Sequence, residues 1–73
     1  LRAHVQDAEE SSPRVEAALR ALGPKARDVL GLRFYSDLSL EAISAAFGIS
    51  LSAAKMRLYR ALEQFEKAYA LSA

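Results

Sequence analysis

The sequence contains no cysteine and no tryptophan, and it has a single methionine and a single histidine, His4. Without thiols, neither a disulfide nor a thiolate metal site can staple the chain, and one histidine cannot build an imidazole cluster. No metal site and no cofactor is expected. There is also no glycine-rich phosphate loop and no pair of acids in an apolar setting, so an enzyme is not expected. No apolar run approaches the roughly 20 residues of a membrane span, and no signal peptide is visible. Membrane contact is therefore not expected, and the cytoplasm is the default location. The chain starts at Leu1 rather than methionine, from which we expect a piece of a longer protein. With 73 residues, one domain is the ceiling, and its stability must come from helix packing or from a partner.

Apolar residues make up 52% of the chain, enough for a folded core and too many for disorder. The formal net charge of +1 says little about partners, but its distribution says more. Residues 1–41 carry six basic and seven acidic groups. From Ala42 to Leu62 there are three basic residues, Lys55, Arg57 and Arg60, and no acid. A local positive stretch on a near-neutral chain is the pattern expected of a face that meets phosphate.

Hydrophobic spacing divides the chain into helices, and no strand pattern is visible. Residues 1–12 are polar and acidic without a period, and read as a linker or N-terminal extension to a domain over residues 13–73. Ser12-Pro13 has the form of a helix start, serine as N-cap and proline at the first helical position. Val15, Ala18, Leu19 and Leu22 follow at helical spacing, and Gly23-Pro24 turns the corner. A second helix is expected from Pro24 to Tyr35, with an inward stripe of Ala26, Val29, Leu30 and Phe34 and Leu32 on its flank. Gly31 within it costs about 1 kcal/mol against alanine, which a close helix–helix approach would justify. Ser39 caps a third helix over residues 40–47 with Leu40, Ile43 and Phe47 inward. Gly48 stops it through a positive φ. Ile49 is an apolar plug, and Ser50 caps a fourth helix over residues 51–69. There Leu51, Ala54, Leu58, Ala61, Leu62, Phe65 and Tyr69 share one stripe.

The third helix, the Gly48-Ile49 turn and the start of the fourth helix form a candidate helix-turn-helix, roughly Leu40 to Arg60. Such a turn aims the second helix outward so that its first turns can enter a major groove. Ile43, Phe47, Ile49, Ala54 and Leu58 lock the two helices together. That leaves Ser52, Ala53, Lys55, Met56, Arg57, Tyr59 and Arg60 as the candidate DNA-binding set. Arg60 suits guanine or phosphate, and Lys55 suits phosphate. Ser52 and the backbone amides of the first turn also suit phosphate. Met56 and Tyr59 suit a thymine methyl or a sugar. Glu63 and Glu66 repel phosphate, so contact should end after about three turns. Each residue also has a plainer reading. Arg57 is equally suited to pairing with Glu41, Tyr59 to being an ordinary exposed aromatic, Met56 to a neutral or partner-facing role, and Lys55 and Arg60 to a solvated face.

The run from Ala18 to Leu62 resembles region 4 of bacterial RNA polymerase sigma factors, especially the extracytoplasmic-function group. That family has a leucine-rich first helix ending in Leu-Pro, then an Arg-x-Val-Leu-x-Leu-Arg-Tyr-Tyr-like second helix. Leu-Ser-Tyr-Glu-Glu-Ile-Ala, a glycine turn and a Gly-Thr-Val-Lys-Ser-Arg-Leu-x-Arg-Ala-like recognition helix follow. Here the corresponding stretches are Arg27-Asp28-Val29-Leu30-Gly31-Leu32-Arg33-Phe34-Tyr35, Leu38-Ser39-Leu40-Glu41-Ala42-Ile43-Ser44 and Lys55-Met56-Arg57-Leu58-Tyr59-Arg60-Ala61. The resemblance implies an all-α, four-helix domain with a C-terminal helix-turn-helix. It also implies recognition of the promoter −35 element and docking on the β flap of the RNA polymerase core. Anti-sigma factors often cover these surfaces, so one is a further implied partner. By position, Lys55, Met56, Tyr59 and Arg60 occupy the family's DNA-facing slots.

The chain departs from the pattern at Ala42 (for glutamate), Ser44 (for alanine), Ala53-Ala54 (for Thr-Val) and Met56 (for serine). Ala53 removes a hydroxyl that would meet phosphate, and Ala54 shrinks the lock. These departures motivate an alternative, a sigma-like protein-interaction module with weak or lost DNA reading. A third reading is a LuxR-type effector domain with a similar helix-turn-helix; the long second helix and the Arg-Phe-Tyr run favour sigma.

Overall fold

The computed structural model describes residues 12–72, and these are all-helical. Residues 1–11, most of the expected linker or extension, lie outside the described residues. The elements are α1 (Pro13–Arg20), α2 (Pro24–Leu30) with a π-helical turn running on from it (Gly31–Tyr35), α3 (Leu40–Phe47) and α4 (Leu51–Leu71). Proline opens both α1 and α2 at the position where a missing N–H costs nothing. Ser12 stands at the N-cap of α1, but only its backbone carbonyl is used, accepting from the Glu16 amide at 3.0 Å; its side chain makes no capping bond. Ser39 and Ser50 do cap with their side chains. Their Oγ atoms accept from the amides of Ala42 and Ala53, each at 3.0 Å.

α4 is the spine, and α1, α2 and α3 all pack on it. The buried core joins Leu22, Ala26, Val29 and Leu30 to Ile43 and to Ala54, Leu58 and Ala61. Val29 and Ile43 are completely buried and are the largest side chains to be so. The domain measures 34 × 30 × 15 Å. So thin a slab holds about one layer of core side chains between helices that pack 8–10 Å apart, and most other apolar residues are therefore only half-buried. Leu40, Phe47 and Ile49 are among these, packed at the edge of the core. At the far end, Tyr69 stacks on Phe65 with ring centroids 5.8 Å apart. Arg14 of α1 lies 3.9 Å over the Tyr69 ring and donates Nε to the Tyr69 carbonyl at 3.0 Å, tying the ends of the domain together.

The main departure from the sequence reading is the second half of α2. The Ser36 amide reaches back five residues to the Gly31 carbonyl at 3.0 Å, and the Leu38 amide reaches Leu32 at 2.9 Å. A turn widened by one residue breaks the 3.6-residue register. Phe34, four residues after Leu30, would lie on the buried stripe of a regular helix. In the wide turn it faces outward and is 59% exposed, so its expected place in the core is corrected. The close approach expected at Gly31 is also corrected, because a Cβ there would meet nothing within 4 Å. After the wide turn Asp37 takes φ 57°, a conformation tolerated by aspartate better than by most side chains. Leu51, expected on the inward stripe of α4, is 38% exposed at the helix start.

Candidate nucleic-acid interface

The turn between α3 and α4 sets the geometry of the candidate site. Gly48 adopts φ 67° and ψ 36°, the left-handed conformation for which glycine was expected. Its amide donates to the Ala45 carbonyl at 3.2 Å, and the Ile49 amide donates to the Ser44 carbonyl at 3.0 Å. These two bonds are the pair that closes a Schellman motif, and Ile49 supplies its apolar contact by packing on the core. The chain then reverses into Ser50, whose two oxygens hold the amides of Ala53 and Ala54. The amides of Leu51 and Ser52 have no acceptor within the helix. Ser44 Oγ donates to the Glu41 carbonyl at 2.8 Å, so the serine found where the family has alanine is used locally within α3.

α4 alternates between lock and display. Ala54, Leu58 and Ala61 are buried, Ala54 completely, so the small lock residue leaves no exposed surface of its own. Between them Ser52, Ala53, Lys55, Met56, Tyr59 and Arg60 are exposed. Arg57 is half-buried, with its guanidinium carbon 4.9 Å from the centroid of the Phe47 ring. That contact is within cation–π range, and no ion pair joins Arg57 to Glu41, the plainer of its two readings. The ion pairs among the described residues are Arg20–Glu16 and Arg33–Asp37, both exposed. The first acid after Glu41 is Glu63, so the displayed turns of α4 carry no negative side chain.

The structure does not gather all seven candidates in one place. Ala53, Met56, Arg57 and Arg60 line a single open groove whose opposite wall is the start of α2, Gly23 to Ala26. Ser52, Lys55 and Tyr59 do not line it. The spacing of α4 puts Lys55 and Arg57 on opposite borders of its apolar stripe, but no pattern within one helix reveals that the start of α2 and Arg57 line one groove.

A second concave surface lies elsewhere on the domain. Val15 and Leu19 of α1, Leu30 of α2, Phe34 and Tyr35 of the π-helical turn, and Leu62 and Phe65 of α4 line a groove of about 230 Å³. Every lining side chain is aliphatic or aromatic. Sequence reasoning missed it because Phe34 was assigned to the core. The only signal for it was the unexplained Gly31 at the point where the wide turn begins.

The fold and this turn define a helix-turn-helix domain built on α3 and α4. The family model described as Sigma-70, region 4 matches residues 12–65, well over half of the chain. The chain belongs to the sigma-70 region 4 family. Membership carries a sigma-factor role in transcription initiation, with DNA binding through the helix-turn-helix, and sets aside the LuxR-type reading. No curated protein and no solved structure gave a match to the chain. Among the described residues no helix is long and apolar enough to cross a membrane.

Proposed function

We propose that residues 13–73 form the −35-reading domain of an extracytoplasmic-function sigma factor and dock on the β flap of the polymerase core. The observation that carries the DNA half is the carboxylate-free displayed face of α4, with Ser52, Lys55, Met56, Tyr59 and Arg60 exposed beside a locked turn. A helix presented in this way enters a major groove by its first turns. Arg60 reads guanine or grips phosphate, Lys55 and Ser52 hold phosphate, and Met56 and Tyr59 make apolar contact with a base methyl or a sugar. Ala53 allows close approach, and Arg57 is steadied on Phe47 at the edge of the groove.

The flap half is supported by the apolar groove, where Phe34 and Tyr35 are exposed rather than folded into the core. An exposed aromatic cluster of this kind suits an apolar protein segment. The same groove favours the second reading, in which an anti-sigma factor or another regulator is the principal partner and DNA reading is weak.

The deciding experiment measures binding of the chain to duplexes carrying −35-type sequences at two salt concentrations. Phosphate contacts make affinity fall steeply as salt rises. A folded chain that binds no duplex at low salt, yet captures the β flap or an anti-sigma factor, favours a protein-interaction module with lost DNA reading instead.

A further inference from the structure

The groove beside α4 holds a cation that helical pattern alone does not associate with DNA. We propose that Lys25, in the first turn of α2, is a further phosphate contact, and that Lys25, Arg57 and Arg60 together follow the backbone of one DNA strand. The proposal rests on the DNA-binding reading above.

An α-helix in the major groove lies between two phosphate ridges, because that groove is about 12 Å wide and only just admits it. Each flank of the helix therefore faces a strand. On α4 one flank carries Lys55. The other carries Arg57 and Arg60, and it opens into a groove of about 760 Å³ whose far wall carries Lys25. No carboxylate lines that groove, and neither ion pair among the described residues involves Lys25, Arg57 or Arg60. The rest of the lining is uncharged: Met56 and Gln64 stand beside the smaller Gly23, Pro24, Ala26, Ala53 and Ala61. A Cβ at Gly23 would meet nothing within 4 Å. The groove thus carries three cations and no carboxylate, and its open volume admits a sugar–phosphate ridge. Ala53, which replaces the family's threonine, then acts by leaving this space open. Pro24 fixes the backbone just before Lys25 at the helix start, so the lysine stem springs from a set position.

The test uses the full chain, a short duplex selected for binding to it from a random pool, and a shuffled duplex of the same composition. K25Q, K25R and R60A are compared with the unsubstituted chain across a salt series. K25Q is expected to weaken both duplexes by the same factor of several-fold at low salt. The slope of log affinity against log salt should become shallower by about 0.9, the value for one phosphate contact. K25R should keep the original slope. If K25Q leaves slope and affinity unchanged while R60A weakens binding, Lys25 is not a contact, although the DNA reading stands. A K25Q loss confined to the selected duplex also overturns the phosphate assignment. Failure of the unsubstituted chain to bind either duplex removes the DNA reading, and this proposal with it.

Discussion

The two ends of α2 serve opposite chemistries. Its start, Gly23 to Ala26, walls a groove that carries Lys25, Arg57 and Arg60. Its end, Phe34 and Tyr35, walls an apolar groove against α1 and the later turns of α4. The first end is regular α-helix opened by proline, and the second is a widened turn. One helix can supply both surfaces because the register change rotates its last residues away from the buried stripe. A regular continuation would bury Phe34 and remove much of the apolar groove. The cationic groove would be untouched, since α2 lines it only at its start.

The comparison is broken most completely from the core that the two grooves share. Ile43 of α3 is completely buried and belongs to the same central cluster as the buried residues of α2 and α4. Ile43→Ala is expected to cost about 2–5 kcal/mol of stability, read by urea unfolding followed through helical circular dichroism. DNA binding and flap binding should then fail together. Loss of only one of them would mean that the grooves are not held by one core.

Substitutions at the rims should separate the surfaces. Arg60→Ala is expected to weaken binding to every duplex alike if the guanidinium grips phosphate as proposed above, or by about 1–3 kcal/mol on the preferred sequence alone if it reads a base, with flap binding unchanged in either case. Phe34→Ala is expected to weaken flap binding by about 2 kcal/mol, the scale of an aromatic anchor, with DNA binding unchanged. Because Phe34 is exposed, its removal should shift stability by no more than about 0.5 kcal/mol. Titrating both variants against a duplex and against the isolated flap gives the cross-comparison. If Phe34→Ala destabilises the fold by several times that amount, the side chain belongs to the core and the apolar groove is misread.

The turn lies between these cases, because it orients α4 without touching either groove. Gly48 is held at φ 67°, where a side chain costs about 1–2 kcal/mol per residue. Gly48→Ala should lower the unfolding midpoint accordingly, and Gly48→Asn should lower it less, since asparagine tolerates this conformation. An equal loss for the two variants would place the constraint in packing rather than in backbone geometry.

What the sequence made legible follows from how local each signal is. Pro13 and Pro24 act through their own fixed φ and missing N–H, and Ser39, Gly48 and Ser50 through bonds to residues within a few positions; each stands at the helix boundary it marks. The display of Lys55, Met56, Tyr59 and Arg60 follows from the periodicity of one long helix. Two things were not legible. The wide turn after Leu30 depends on backbone bonds that skip five and six residues, and a 3.6-residue template assigns Phe34 to the wrong face. That Lys25 and Arg57 line one groove depends on two elements about thirty positions apart, and is set by how α2 lies on α4. Arg57 shows the same limit. Its border position was readable, but its stacking on Phe47 across the turn was not, and an ion pair with Glu41 looked equally good from spacing alone.

The smallest expected effect tests the cause of the difference between the two ends of α2. Gly31 begins the wide turn but has ordinary helical angles, φ −63° and ψ −45°, and open space where a Cβ would go. Alanine fits there without strain and restricts the unfolded chain, so Gly31→Ala should stabilise the domain by about 0.4–1 kcal/mol. If the wide turn is set by the residues after it, through the Ser36 and Leu38 amide bonds and the left-handed Asp37, flap binding should not change. If the missing side chain is what permits the wide turn, alanine will favour the regular register, draw Phe34 toward the core and weaken flap binding while still raising stability. Thermal unfolding and flap titration on the same variant separate these outcomes, because only the second moves the two measurements in opposite directions.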